Sequence, residues 1–320
     1  MKFTFLLLIV FNYSLFAQTL GKPGTQSRDL DSKVALKKDD VSPTLRIKPV
    51  YTKVLSDSLV ETSGLIAFDH LLWTHNDDHD TTIYGLDEQG LIRRKIALPK
   101  VRNTDWEEIT QDSTYMYIGD FGNNYKGNRR DLHILRIEKN SFLANKPVID
   151  TIGFAYDNQI DFNPQKENTT NFDCEAFVVL QDSIYLFTKQ WKLHQTAVYT
   201  LPKKPGNYKA TNKETLTIDG LVTGATVLPS NKGIVLCGYS SLLQPFVFVL
   251  HHYKAMEFST GKLQKITLSL PFHQVEGIAS FDGLHFYCTN ERFEKKPFLT
   301  VKQEIHQLDL SDYLKYLDTN

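Results

Sequence analysis

The 320-residue chain balances 36 Lys+Arg against 37 Asp+Glu, for a formal net charge of −1, and is 41% hydrophobic and 12% aromatic. This is an ordinary globular composition. The near-neutral balance, with no basic run, argues against an electrostatically driven nucleic-acid binder. Three cysteines, Cys174, Cys237 and Cys288, without CxxC spacing argue against a disulfide scaffold or a thiolate zinc site, and predict buried free thiols.

In chain order, residues 1–17 have the form of a secretory signal: Lys2, an apolar stretch from Phe3 to Val10, and Ala17 at the cleavage point. The stretch is short for a bilayer span and no second one follows, so a secreted or periplasmic product without a transmembrane segment is expected. Residues 18–45 are polar and poor in aromatics and read as a disordered lead-in. Strand character starts at Arg46, and a single domain is predicted over 46–315.

Within that domain one pattern is written five times: a polar residue, a short apolar run, a turn and an aromatic-rich strand. The copies begin at Ser63, Glu107, Glu175, Thr223 and Glu276. Repeats of this size that offer strands predict an all-β fold, a single β-propeller with one blade per repeat. Five blades are expected. Six is the alternative, because residues 154–172 are long enough to conceal a degenerate copy; their Asn, Asp and Gln content and lack of alternation predict a loop. The last repeat shows only three strands, so the segment 46–55 is expected to supply its outer strand and close the ring, removing two open edges.

Propeller geometry brings the starts of the innermost strands together at the axis, here Ser63, Glu107, Glu175, Thr223 and Glu276. Strand alternation is expected to keep Glu107 with Ile109, Glu175 with Phe177 and Glu276 with Ile278 on shared sides. Three converging carboxylates repel unless a cation sits among them, and no cationic residue aligns with them in the repeat. Calcium, a hard ion that takes carboxylate and hydroxyl oxygens, is the expected cofactor; the lack of His or Cys at these positions disfavours zinc and copper.

The ring Ser63, Glu107, Glu175, Thr223, Glu276 resembles that of the calcium-activated apyrases, five-bladed propellers with a central calcium. Their DDR-type turn corresponds to Asn76-Asp77-Asp78-His79, without the arginine, and Gly64 stands where those enzymes keep an acidic residue. The resemblance therefore implies fold and calcium rather than nucleotide hydrolysis. The phrases SGLIAFDHLLWTHNDD, DWEEIT, YIGDFGNN and VEGIAS resemble the exported bacterial propellers of the SdiA-regulated and phytase-esterase-like kind over most of residues 60–310.

Loops assigned to the same face add candidates. His75, Asp77, Asp78, His79 and Asp80 form an acidic-imidazole loop, read as a solvated turn with a second metal as the alternative. Asp120 and Asn123, in a Gly-rich loop lacking the closing Glu of an EF-hand, are expected to face the axial cavity. Arg129, Arg130, Lys189 and Arg292 are expected on the rim, where they suit an anionic small molecule or a protein ligand. Trp73 and Trp106 read as core, while Trp191 is free to stack. With no GxSxG or phosphate-cradling loop, the first functional reading is a monomeric, calcium-binding propeller with a polar ligand face. The second is a metal-dependent ester hydrolase with Asp77, Asp78 or Asp120 as candidate base.

Overall fold

The computed structural model describes residues 45–229 and 233–314. The expected signal peptide and all but the last residue of the lead-in lie outside the described residues.

Each repeat folds as successive hairpins because runs of β-branched and aromatic residues are separated by turn residues. In the first, Thr62–Phe68, Leu71–Asn76, Thr82–Leu86 and Ile92–Ala97 form an antiparallel sheet in chain order. Its opening turn, Asp69-His70, has both residues at positive φ, the conformation of a two-residue hairpin whose twist matches its strands. The fourth repeat pairs Leu221–Val227, Gly233–Tyr239, Pro245–His251 and Lys262–Leu268 in the same way.

The second and third repeats are joined. The outer strand Ile149–Tyr156 pairs in parallel with Gly206–Leu216, which fuses the two into one eight-stranded sheet. Residues 157–173, most of the ambiguous insertion, contain no strand. They lie on the 121–132 loop, where Asn168 N donates to Asn124 O at 2.9 Å and Gln159 Nε2 to Gly127 O at 3.0 Å.

The last sheet runs Val275–Ser280, His285–Asn290, Glu304–Asp309 and then Tyr51–Val54, antiparallel to its neighbour. The N-terminal segment thus closes this sheet only with its second half. Arg46–Ile47 pairs in parallel with Lys262–Leu268 of the preceding sheet, so the segment clasps two sheet edges instead of one.

The innermost strands Thr62–Phe68, Trp106–Gln111, Cys174–Leu180, Leu221–Val227 and Val275–Ser280 neighbour one another in cyclic order, the last returning to the first. Apolar clusters fill the spaces between successive repeats. One packs Trp73 and Ile83 against Ile109 and Ile118, and another packs Tyr117 and Phe121 against Phe177 and Leu186. Leu65 and Leu86 meet Tyr287 and Ile305 across the closure. The three thiols are buried and unpaired, and Trp73 and Trp106 are fully buried. The fold is an all-β propeller.

Candidate metal centre

A β-bulge at the head of every innermost strand creates the site. The pairing registers of the second to fifth inner strands skip between Trp106 and Glu108, Cys174 and Ala176, Val222 and Gly224, and Val275 and Gly277; the first skips between Ser63 and Ile66. A bulged residue leaves the ladder and is re-aimed. Glu107, Glu175, Thr223 and Glu276 are those residues, so the bulges, and not the strict alternation expected from sequence, turn the three glutamates into the axial cavity.

The residues after the ring positions are Gly64, Glu108, Ala176, Gly224 and Gly277, and the Glu108 side chain crowds two of them, Gly64 and Gly224. The Glu108 carboxylate accepts from the backbone N–H groups of Leu65 (3.3 Å), Ile109 (2.9 Å) and Ala225 (2.7 Å), tying together three inner strands. A Cβ on Gly64 would lie 2.8 Å from Glu108 Oε1, and one on Gly224 3.3 Å from Oε2. Gly64 has φ +65°, which also favours glycine.

Above this tie is a cavity of about 190 Å³. Asp77, Asp105, Glu107, Glu175, Glu276 and Glu291 line it, with Lys189, Trp191 and Tyr239 on one side and Asn124, Asn168, Gln274 and Ser63 completing the wall. The carboxyls are crowded. Burial, then Glu175, Asp105 and Asp173, hold Glu107 well above the usual carboxylate range, with Lys189 opposing. Burial raises Glu276 to about 7 and, with Glu61 and Asp105, raises Asp77 to about 8.

The two hydroxyls of the expected ring are spoken for by backbone: Ser63 Oγ donates to Glu107 O and Thr223 Oγ1 to Val275 O. Of the ring, Glu107 and Glu175 instead form a tight group with Asp173, their nearest carboxylate oxygens within 4.8 Å of one another and all three residues buried. Asp173 is oriented from both sides, accepting from Asn123 N and Trp191 Nε1, each at 2.7 Å. Glu175 Oε1 is buried with no hydrogen-bond partner, which is costly for an acceptor unless a ligand completes it. An orphaned oxygen in an all-oxygen donor group fits a hard cation.

Asp173 is not among the residues that the repeat singles out, although the sequence carries a signal for it. Two residues before each ring position stand Glu61, Asp105, Asp173, Leu221 and Gln274, so D-x-E occurs twice and E-x-S once. Glu61, Asp77 and Glu291 form a second, less buried carboxylate group.

The expectation that no cation aligns with the ring acids is overturned. Lys189, the penultimate residue of the strand Ser183–Gln190, places Nζ 3.0 Å from Glu175 Oε2, both side chains almost fully buried. Burial disfavours its charge, but Glu175 foremost outweighs this and holds the lysine above its ordinary value.

The other loop candidates behave differently. His75 is buried edge-on to Trp106, its Nδ1 against Asn76 O, and burial lowers it to about 4. Asp80 organises its own turn through Asn76, Thr82 and Tyr84, while Asp78 and His79 are exposed. Contrary to expectation, Asp120 and Asn123 do not line the cavity. Asp120 is held by Arg129 at 2.7 Å and Thr104 N at 3.0 Å, and Asn123 caps the same loop; its neighbour Asn124 faces the cavity instead. Arg129 is spent on Asp120, Asp131 and Gly122 O, Arg130 stacks on Phe162, and the half-exposed Arg292 pairs with Glu294. Of the expected cationic rim, Lys189 alone lines the cavity.

No protein-family model matches the chain, and no curated protein matches it. Among solved structures, it is similar to the PQQ-bound aldose sugar dehydrogenase of Streptomyces coelicolor: 12% identity, 81% of this chain and 98% of that one covered, TM-score 0.42. It is also similar to a streptogramin B lyase (14% identity, 81% and 73% covered, TM-score 0.37) and to the extracellular domains 1-2 of Drosophila Semaphorin 1b (10%, 78% and 63%, TM-score 0.34). These neighbours are β-propellers, enzymes and binding proteins alike.

Proposed function

We propose that the chain is a five-bladed propeller that binds calcium at the axial group Glu107–Asp173–Glu175 and offers the surrounding polar cavity to a ligand. The five cyclic inner strands and the lack of a strand in 157–173 support five blades over six. The observation that carries the metal reading is Glu175 Oε1, a buried acceptor without a partner beside two further buried carboxylates. Calcium there supplies charge neutralisation and a Lewis-acidic point on the cavity floor. Because six carboxyls and a single lysine line the cavity, a cationic or neutral polar ligand suits it better than the anionic one expected from the rim loops.

Binding only the folded state stabilises it by about 2.7 kcal/mol at a hundredfold excess over Kd. For a domain of this size that corresponds to a Tm rise of roughly 5 to 10 °C. Calcium should raise Tm over a chelated control, and Glu175→Gln should abolish most of the rise. Equal melting with calcium and with chelator overturns the reading.

Ester hydrolysis is the second reading, favoured by Asp77. Alone among the three candidate bases it lines the cavity, and a carboxyl held at about 8 suits proton transfer near neutral pH. A panel of phosphate and carboxylate esters, run with wild type and Asp77→Asn, separates the readings: turnover that the substitution removes supports hydrolysis, and no turnover by wild type leaves binding.

A further inference from the structure

Lys189 occupies an unusual position for a lysine. Its ammonium is 3.0 Å from Glu175 Oε2, 4.8 Å from the centre of the Trp191 ring and 5.5 Å from that of Tyr239. Carboxylate plus aromatic faces is the environment in which proteins recognise free cationic ligands. Here the cation is the chain's own, on the strand that follows Glu175 in the same sheet. Thr188 pairs with Cys174, which fixes Lys189 beside the bulge.

We infer that Lys189 is a tethered counter-cation that closes the axial site until a divalent ion displaces it. The inference rests on the proposed calcium site and names its regulation. Glu175 Oε2 serves the lysine while Oε1, on the same carboxylate, is left for the metal. An ammonium and a dication on one carboxylate repel at short range in a buried setting, so the ion and the Lys189–Glu175 pair exclude each other. Tyr239 OH, 3.5 Å from Nζ, and the neighbouring Glu276 offer the released ammonium an oxygen on the cavity side. The device raises the calcium concentration at which the site fills, and couples filling to exposure of a basic group in an acidic cavity.

The test is calorimetric titration of calcium into wild type and Lys189→Met, whose side chain keeps the length without the charge, together with a crystal structure of wild type grown in calcium. The inference expects at least tenfold tighter calcium binding by the variant, and Lys189 Nζ beyond hydrogen-bond distance of Glu175 in the calcium-bound wild type. Binding by the variant but not by wild type supports the lock while refuting calcium as the native occupant. Equal or weaker binding by a folded variant, or an intact Lys189–Glu175 pair beside bound calcium, overturns the lock and leaves the metal site standing. If wild type takes up no calcium and the variant binds none or does not fold, Lys189 is only a structural counter-ion and both readings fall.

Discussion

Glu107 and Glu108 are adjacent, both buried, and should respond in opposite ways to the same substitution. Glu108 is a structural acceptor: its two oxygens take three backbone N–H groups from three inner strands. Glu108→Gln keeps one oxygen and puts an NH₂ against at least one of those donors. Leaving a buried N–H unsatisfied costs about 1 to 3 kcal/mol, and a donor facing a donor sits at the upper end. At roughly 2 to 4 °C per kcal/mol, Glu108→Gln should lower Tm by about 5 to 10 °C in chelator. Glu108→Ala frees all three donors and leaves a void, so its loss should be larger still. Burial raises Glu108 as well, but the three N–H groups oppose it, whereas burial and the like charges of Glu175, Asp105 and Asp173 together push Glu107 toward the neutral form. Glu107→Gln mimics that form and should leave the Tm in chelator unchanged or raised. Differential scanning calorimetry of the three variants at neutral pH decides. A Glu108→Gln protein that melts like wild type, or a Glu107→Gln protein that loses as much, refutes the division of roles.

Stability in chelator should also fall as pH rises. Burial raises Glu276 to about 7 from an ordinary 4.5, so the folded state holds its proton more tightly than the unfolded chain does. The destabilisation is absent below about 4.5 and develops through 7, reaching roughly 3 kcal/mol for such a carboxyl. Tm measured in chelator should drop between pH 5 and 8 while calcium restores more at pH 8; a flat or rising profile contradicts the crowding. Truncation to residue 56 removes Tyr51–Val54 and the buried Leu55, whose burial alone is worth about 2 kcal/mol, and exposes the edge of Glu304–Asp309. The shortened domain should melt at least several degrees lower and aggregate more readily; unchanged melting contradicts closure by this segment.

The repeated strand–turn–strand phrase was enough to read the propeller and to select Glu107, Glu175 and Glu276, because each repeat places its residues by the same geometry. The bulges were not legible, since a register skip is a property of two paired strands and leaves no mark in the composition of one. Without them Glu108 reads as an outward residue, yet Gly64 and Gly224 after the ring positions were its trace. Asp173 was within reach through the repeated D-x-E spacing. The Lys189–Glu175 pair was harder to see, for it depends on a hairpin bringing the end of the second strand beside the bulge. The rim cations misled because Arg129 and Arg292 lie on the right loops but are consumed by Asp120, Asp131 and Glu294. The strand character of residues 46–55 predicts one closing strand, whereas the two halves of the segment hydrogen-bond to different sheets.

The most direct measurement is anomalous diffraction from crystals grown with calcium. A calcium-bound structure should show one strong anomalous peak on the axis, coordinated by Glu107, Asp173 and Glu175, with Glu175 Oε1 among its ligands. Crystals grown at saturating calcium that show no peak at this group would contradict the central claim.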